Sequence, residues 1–338
     1  MKITTVGLDL AKSVFTLHGV DEHGNAVIRK TVRRGKLLEL FAQFPACVVG
    51  MEACSGAQHW ARELRKLGHD PRIMAAEFVA PYRQGGKNDA NDAAAICEAV
   101  SRPKMRFVAV KSVEQQAVLA VHRLRQGLVE ERTALANRLR GLLTEYGVVV
   151  GTGLDRLRRA LPEIVTSDAD AIPSIAREVF TDAHEQLREL DARITAYDRR
   201  IAAFARASVP AKRLMKIEGV GPVTATALVA SVGDANVFRN GRQFAAWLGL
   251  TPRQHSTGGK QRLGAITKHG DVYLRTLLIH GARAVLQVTP NRSDAKSRWV
   301  QSLRQRRPDN VAAVALAAKH ARISWALLAR GKDYEVAV

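Results

Sequence analysis

Ile3-Thr4-Thr5-Val6-Gly7-Leu8-Asp9-Leu10 reads as a β-strand of mostly apolar and β-branched residues. It carries one anomaly. Asp9 sits among Val6, Leu8 and Leu10, where a carboxylate is costly unless it is paired or binds a cation. Outward from this stretch the pattern repeats. Val14 to Val20 and Ala26 to Val32 are further strands, separated by the turn signal Asp21-Glu22-His23-Gly24-Asn25, so the three form an antiparallel meander. Leu37 to Phe44 has helical spacing. Cys47 to Met51 is a short buried strand ending at Glu52. Gln58 to Leu67 is a helix closed by Gly68, and Pro71 to Ala75 is another strand. Paired strands followed by strands alternating with helices predict an α/β domain with a mixed sheet over 1–110.

Lys and Arg outnumber Asp and Glu by 52 to 32, giving a formal net charge of +20, so a polyanion, nucleic acid above all, is the expected partner. With 46% hydrophobic residues the chain can bury real cores, which excludes a disordered basic tail. Cys47, Cys54 and Cys97 form no C-x-x-C pair; a disulfide framework or structural zinc is not expected, and a reducing compartment fits. The amino terminus reads as a strand rather than a signal peptide. The apolar stretch Val311 to Ala329 is broken by Lys319, His320 and Arg322, against a bilayer span. A soluble, cytoplasmic, nucleic-acid-associated protein without a membrane partner is the resulting expectation.

A second, all-α part follows. Val121, Leu128, Leu135 and Leu142 recur every seven residues with Leu124 and Leu139 beside them, and Leu187, Leu190, Ile194, Tyr197, Ile201 and Phe204 form a heptad seam. Gly147, Gly151, Gly153 and Pro162 lie between, so 111–209 reads as a helical, coiled-coil section. It is an intramolecular hairpin, a dimerising coiled coil, or both, since the two are compatible. The remainder, 210–338, is mainly helical. Its Gly219-Val220-Gly221 between helical segments resembles a helix-hairpin-helix turn, in which Gly219 and Gly221 let backbone amides approach a phosphate.

Two clusters carry chemistry. Asp89 and Asp92, three apart at the start of the helical stretch Ala93 to Val100, share one helix face. Helix capping accounts for such a pair taken alone. Together with Asp9 and Glu52 they make a four-carboxylate set, whose oxygen-only ligands select Mg²⁺ or Mn²⁺. Two such ions about 3.5–4 Å apart clamp a phosphodiester, with Lys12 and Arg83 close enough in sequence to meet it. The other cluster is a polar loop running from Thr251 to Arg262. Its Ser256 and Thr257 precede two glycines and are ringed by Arg253, Lys260 and Arg262, with Lys268, Arg275 and Arg283 following. Among such cations a serine can become a phosphoryl-transfer nucleophile, with His255 either an outlet for its proton or a bystander. Spacing alone favours the plainer reading of this loop as a phosphate grip without covalent chemistry.

These motifs, in order, resemble one family. They are Val6-Gly7-Leu8-Asp9-Leu10-Ala11-Lys12, Met51-Glu52-Ala53, Lys87-Asn88-Asp89-Ala90-Asn91-Asp92-Ala93 and Ile217-Glu218-Gly219-Val220-Gly221. Leu248-Gly249-Leu250-Thr251-Pro252-Arg253, Ser256-Thr257-Gly258-Gly259-Lys260 and Thr267-Lys268-His269-Gly270-Asp271 complete the set. The chain resembles the insertion-sequence transposases with an amino-terminal DEDD domain and a carboxy-terminal serine domain, the "one-ten" family, and its serine loop is similar to the "eleven-eleven" branch. The resemblance implies a first domain of the ribonuclease H type, like a Holliday-junction resolvase, with Asp9, Glu52, Asp89 and Asp92 holding divalent metal. It implies Ser256 as the covalent nucleophile, with Thr257 in reserve because some relatives place the serine directly before glycine. It further implies donor and target DNA as substrates, a guide RNA encoded in the element, and a homo-oligomer, dimer or tetramer, in which one subunit's serine joins another's acidic site. From the residues alone, two other readings stay open: a hydrolytic, structure-specific nuclease without a covalent intermediate, and a non-catalytic nucleic-acid-binding protein.

Overall fold

The computed structural model describes residues 2–166 and 172–334, and the chain divides into two compact units between Ser112 and Val113. In the first, β1 (Thr5–Leu10), β2 (Val14–Val20) and β3 (Ala26–Arg33) form the antiparallel meander. Asp21 Oδ1 closes its turn by accepting from the backbone N–H groups of His23 and Asn25, both at 2.9 Å. After α1 (Leu37–Phe41) comes β4 (Val48–Glu52), parallel to β1. After α2 (Ala57–Lys66), capped at Gly68 with φ +87°, comes β5 (Asp70–Met74), parallel to β4. The short α3 (Ala76–Val79) and α4 (Asp89–Val100) follow. Then β6 (Phe107–Val108), which the sequence pattern did not announce, pairs antiparallel with β5. The result is a mixed six-stranded sheet of order β3-β2-β1-β4-β5-β6.

Strand alternation assigns the two faces of this sheet. Val6, Leu8, Phe15, Leu17, Val49 and Met51 are buried with Phe41, Trp60 and Leu64 of α1 and α2. Gly7, Asp9, Gly50 and Glu52 belong to the opposite face, where α4 lies. Two glycines admit that helix. A Cβ on Gly7 would strike the backbone of Ala93 and Cys97 and stand 2.8 Å from Cys97 Cβ, and one on Gly50 would stand 2.8 Å from Val100 Cβ. Gly7→Ala must therefore lift α4 from the sheet. It is expected to cost about 3 kcal/mol of stability by overpacking, read as a shifted denaturation midpoint. An unshifted midpoint would mean that α4 does not rest on this glycine.

The second unit contains α5 (Val113–Glu145), α6 (Leu154–Thr166), α7 (Ser174–Ala207), α8 (Val209–Met215), α9 (Pro222–Val232) and α10 (Gly241–Trp247). The strands β7 (Pro252–Gln254) and β8 (Leu263–Ile266) come next, then α11 (Val272–Val288), α12 (Ala295–Arg304) and α13 (Asp309–Arg330). Helices α5 and α7 pack antiparallel. Arg132 donates to Asp191 at 2.8 Å and Arg125 to Asp198 at 2.5 Å, so rising numbers on one helix meet falling numbers on the other. The buried seam on α5 is Leu128, Leu135, Leu139 and Leu143, facing Leu187, Leu190 and Ile194. This corrects the heptad reading of α5: Leu124 and Leu142 are 58% and 43% exposed, because an undistorted helix drifts off a strict seven-residue repeat. Pro162 does not mark a loop. It lies inside α6, whose Leu157 and Leu161 are buried against α5 and α7.

Helices α11, α12 and α13 finish the chain. By length and composition α13 is apolar enough to cross a membrane despite Lys319, His320 and Arg322. In the structure its Ala312, Ala313, Leu316, Ala317 and Ala321 are buried in the core of the unit, with Phe244 of α10 and Leu278 of α11. His122 of α5 is fully buried. Its ring nitrogens meet the Tyr273 hydroxyl at 3.0 Å and the Thr226 hydroxyl at 2.9 Å, tying α5 to α9 and α11.

Candidate active site

The acidic residues are gathered by the packing just described. Leu8 pairs with Met51 in parallel register, so Asp9 and Glu52, one position further, stand side by side at the ends of adjacent strands. Both belong to the face that carries α4. Because Gly7 lies under Ala93 and Cys97, Asp9, two residues along the strand, falls toward the first turn of α4. Asp89 and Asp92 are in that turn. Asn88 caps the helix, its Oδ1 accepting from the Asn91 backbone N–H at 2.8 Å, and the helix dipole favours negative charge there. Partial burial and the neighbouring carboxylates Asp89, Asp92 and Glu52 push Asp9 up to about 6. Burial and then Asp92 raise Glu52, against the opposing pull of Arg83 and Lys87.

The donor set suits a hard divalent cation: four carboxylates, all oxygen, in mutual repulsion that a dication would relieve. Among the described residues, no three His, Cys, Asp or Glu side chains already converge as a cage. Asp92 is instead engaged by Arg83, whose Nη1 donates to Oδ1 at 3.2 Å. Lys12, just past β1, is exposed.

The segment read as a polar loop is a β-hairpin. Gln254 pairs with Leu263 and Thr257 bridges to Lys260. Gly258 and Gly259 form its two-residue tip with φ +57° and +75°, left-handed at both central positions as a type I′ turn requires. Ser256 sits one residue before Thr257 on the exposed arm. Its Oγ accepts from Gln254 Nε2 at 2.9 Å and from the Arg262 backbone N–H at 3.4 Å. Two N–H donors on one hydroxyl oxygen favour negative charge there. Gln254 was missed in the sequence, although its spacing of two from Ser256 puts both side chains on one face of a strand. The backbone N–H of His255 donates to Arg262 O at 3.0 Å, which joins the two arms of the hairpin.

Arg253, Lys260, Arg262 and Lys268 are exposed around the hairpin. Arg275 is not. It is 7% exposed, and its Nη1 donates to Leu248 O at 3.1 Å and His269 O at 2.8 Å. It holds together the two chain segments at the hairpin base rather than facing a phosphate. Gly219 and Gly221 likewise separate. Gly219 has φ +79°, and a Cβ on it would collide with the Gly281 carbonyl of α11, 2.8 Å from its carbon; Glu218 beside it pairs with Arg292 at 2.7 Å and with Lys296. Close packing within the protein therefore accounts for Gly219. Gly221, the residue preceding α9, faces open space.

Two family models match separate stretches of the chain. Residues 6–148 match the DEDD transposase model of the IS110 type, and residues 211–297 match the model described as the IS116/IS110/IS902 transposase family. A probable family 20 transposase of Pseudomonas aeruginosa is 54% identical over 335 residues, 99% of each chain. The transposase for insertion sequence element IS1111A of Coxiella burnetii is 44% identical over 98% of this chain and 91% of its own. The transposase for IS1328 of Yersinia enterocolitica is 38% identical over 97% and 98%. With both family models in order along one chain and relatives aligned end to end, this protein belongs to the IS110/IS116/IS902 family of insertion-sequence transposases.

Proposed function

We propose that this transposase is an RNA-guided DNA recombinase that cuts and rejoins DNA through a phosphoserine bond at Ser256. The observation that carries the serine's role is the pair of N–H donors on its Oγ at an exposed hairpin ringed by cations. Ser256 Oγ loses its proton to solvent as it bonds to the scissile phosphorus, and the sugar oxygen opposite leaves and takes up a proton. Attack by the exchanged strand's oxygen reverses the step and frees the serine, so DNA is rejoined without net hydrolysis. Gln254 and the Arg262 amide hold the oxygen and share its charge. Arg253, Lys260, Arg262 and Lys268 bind the flanking phosphates.

The first unit, whose sheet order and acidic set support a ribonuclease H-like domain, contributes Asp9, Glu52, Asp89 and Asp92. A divalent cation, Mg²⁺ or Mn²⁺, held by these residues would supply Lewis-acid polarisation of the phosphate. RNA guidance, a homo-oligomeric assembly using the long helices and a cytoplasmic, nucleoid-associated location in bacteria extend the family resemblance to this chain; the charge of +20 suits nucleic-acid partners. Purified protein with its RNA should join donor to target DNA, and both chelation and RNase treatment should stop it. Undiminished joining by RNA-free protein would overturn the guidance.

The turn at 217–221 is read as a helix-hairpin-helix contact to the DNA backbone. A Cβ on Gly221 meets nothing within 4 Å, so Gly221→Ala should leave stability within about 0.5 kcal/mol. It should still weaken DNA binding several-fold by standing a methyl between backbone and phosphate. Unaltered affinity in a binding titration would remove this turn from the DNA surface.

A further inference from the structure

The segment between α3 and α4, Arg83-Gln84-Gly85-Gly86-Lys87, brings two cations to the acidic residues. Arg83 Nη1 donates to Asp92 Oδ1 at 3.2 Å, with the two side chains 34% and 21% exposed. Arg83 and Lys87 both act on Glu52. The backbone here is fastened. Asn91 Nδ2, on α4, donates to Gly86 O at 2.8 Å, and Asn88 caps the same helix. The freedom in this segment therefore lies in the arginine side chain rather than in the loop. An ion pair with this much solvent access is readily exchanged for a stronger partner, and a guanidinium suits a phosphate as well as a carboxylate.

We propose that Arg83 is a positioning residue that occupies Asp92 until a divalent cation takes that carboxylate, and that the released guanidinium then pairs with the DNA phosphate. The inference rests on the reading of Asp9, Glu52, Asp89 and Asp92 as the cation site. Cation entry and phosphate capture become two halves of one exchange, so that the site is completed only when both ligands are present.

Direct titration of the purified full chain with Mn²⁺, followed by its electron paramagnetic resonance signal in the absence of DNA, tests this. Arg83→Gln should bind Mn²⁺ about three- to tenfold more tightly than the parent, because a competing positive charge is removed. Arg83→Lys, which keeps the charge but loses the fork, should fall between. The gain should vanish in an Asp92→Asn background. In a Ser256→Ala background with Mn²⁺ present, Arg83→Gln should bind DNA more weakly. Unchanged or weaker Mn²⁺ binding by a folded Arg83→Gln would overturn the exchange. Mn²⁺ binding that survives Asp9→Asn would instead overturn the cation site itself, which the Arg83 variants alone would not show.

Discussion

Asp9→Asn is expected to abolish DNA joining while making the metal-free protein more stable. If Asp9 holds the proposed cation, the loss should reach about 10³-fold or more, since such an ion would supply several kcal/mol at the phosphate. The gain follows from the site's own electrostatics. Burial, and then Asp89, Asp92 and Glu52, push Asp9 from 3.8 up to about 6 in the folded chain. Ionising it therefore works against the fold. The corresponding stability is fully present below pH 3.8 and is lost as the pH rises through about 6. Metal-free parent protein should accordingly become more stable between pH 7.5 and pH 5, and Asp9→Asn should flatten that rise. Asp9 is only half buried, so the undiscounted linkage shrinks to about 1–2 kcal/mol at neutral pH. Melting curves of both proteins with excess chelator, at pH 7.5 and pH 5, give the comparison. A variant that melts below the parent at pH 7.5 would show that Asp9 holds the fold together rather than straining it.

Ser256→Ala is expected to remove strand joining by about 10⁴-fold or more, the size of effect that follows deletion of a nucleophile. Thr257→Ala should retain joining within about threefold. The hairpin separates the two hydroxyls. Ser256 Oγ receives two N–H donors, whereas Thr257 takes part through its backbone, accepting from Lys260 N–H at 3.1 Å. Gln254→Ala should slow the reaction about 10- to 100-fold by removing a donor to a charged oxygen, without changing how tightly DNA is held. Joining rates with saturating DNA measure all three. Activity surviving Ser256→Ala and lost in Thr257→Ala would reassign the nucleophile.

The acidic site was legible because its physics is local. A carboxylate amid Val6, Leu8 and Leu10 has to be compensated, and Asp89 and Asp92 share a helix face whatever the tertiary fold. The device that brings them together was also written in the chain, as Gly7-Leu8-Asp9 and Gly50-Met51-Glu52. In each strand a glycine two residues before the acid clears room for α4 on the same face. The pattern gains its meaning only once α4 is known to lie there. Arg275 and Gly219 were read as nucleic-acid contacts because charge and glycine are the sequence marks of phosphate binding. Their partners, the carbonyls of Leu248 and His269 and the backbone at Gly281, are brought near by the tertiary fold and leave no local trace. The hairpin at Ser256 reads as a loop in the sequence because its strands are short and exposed on both faces, so no hydrophobic alternation marks them. The glycine pair at its tip was the available signal.

The most direct test of the account is covalent capture. Protein from cells carrying the complete element would be denatured, purified under denaturing conditions and digested, and the DNA-bearing peptide identified by mass spectrometry. DNA linked through phosphate to Ser256 is expected in the parent, and no linked DNA in Ser256→Ala. DNA cut at the element ends with no protein–DNA adduct in either would contradict it, and would leave the carboxylates as a hydrolytic nuclease and the hairpin as a phosphate grip.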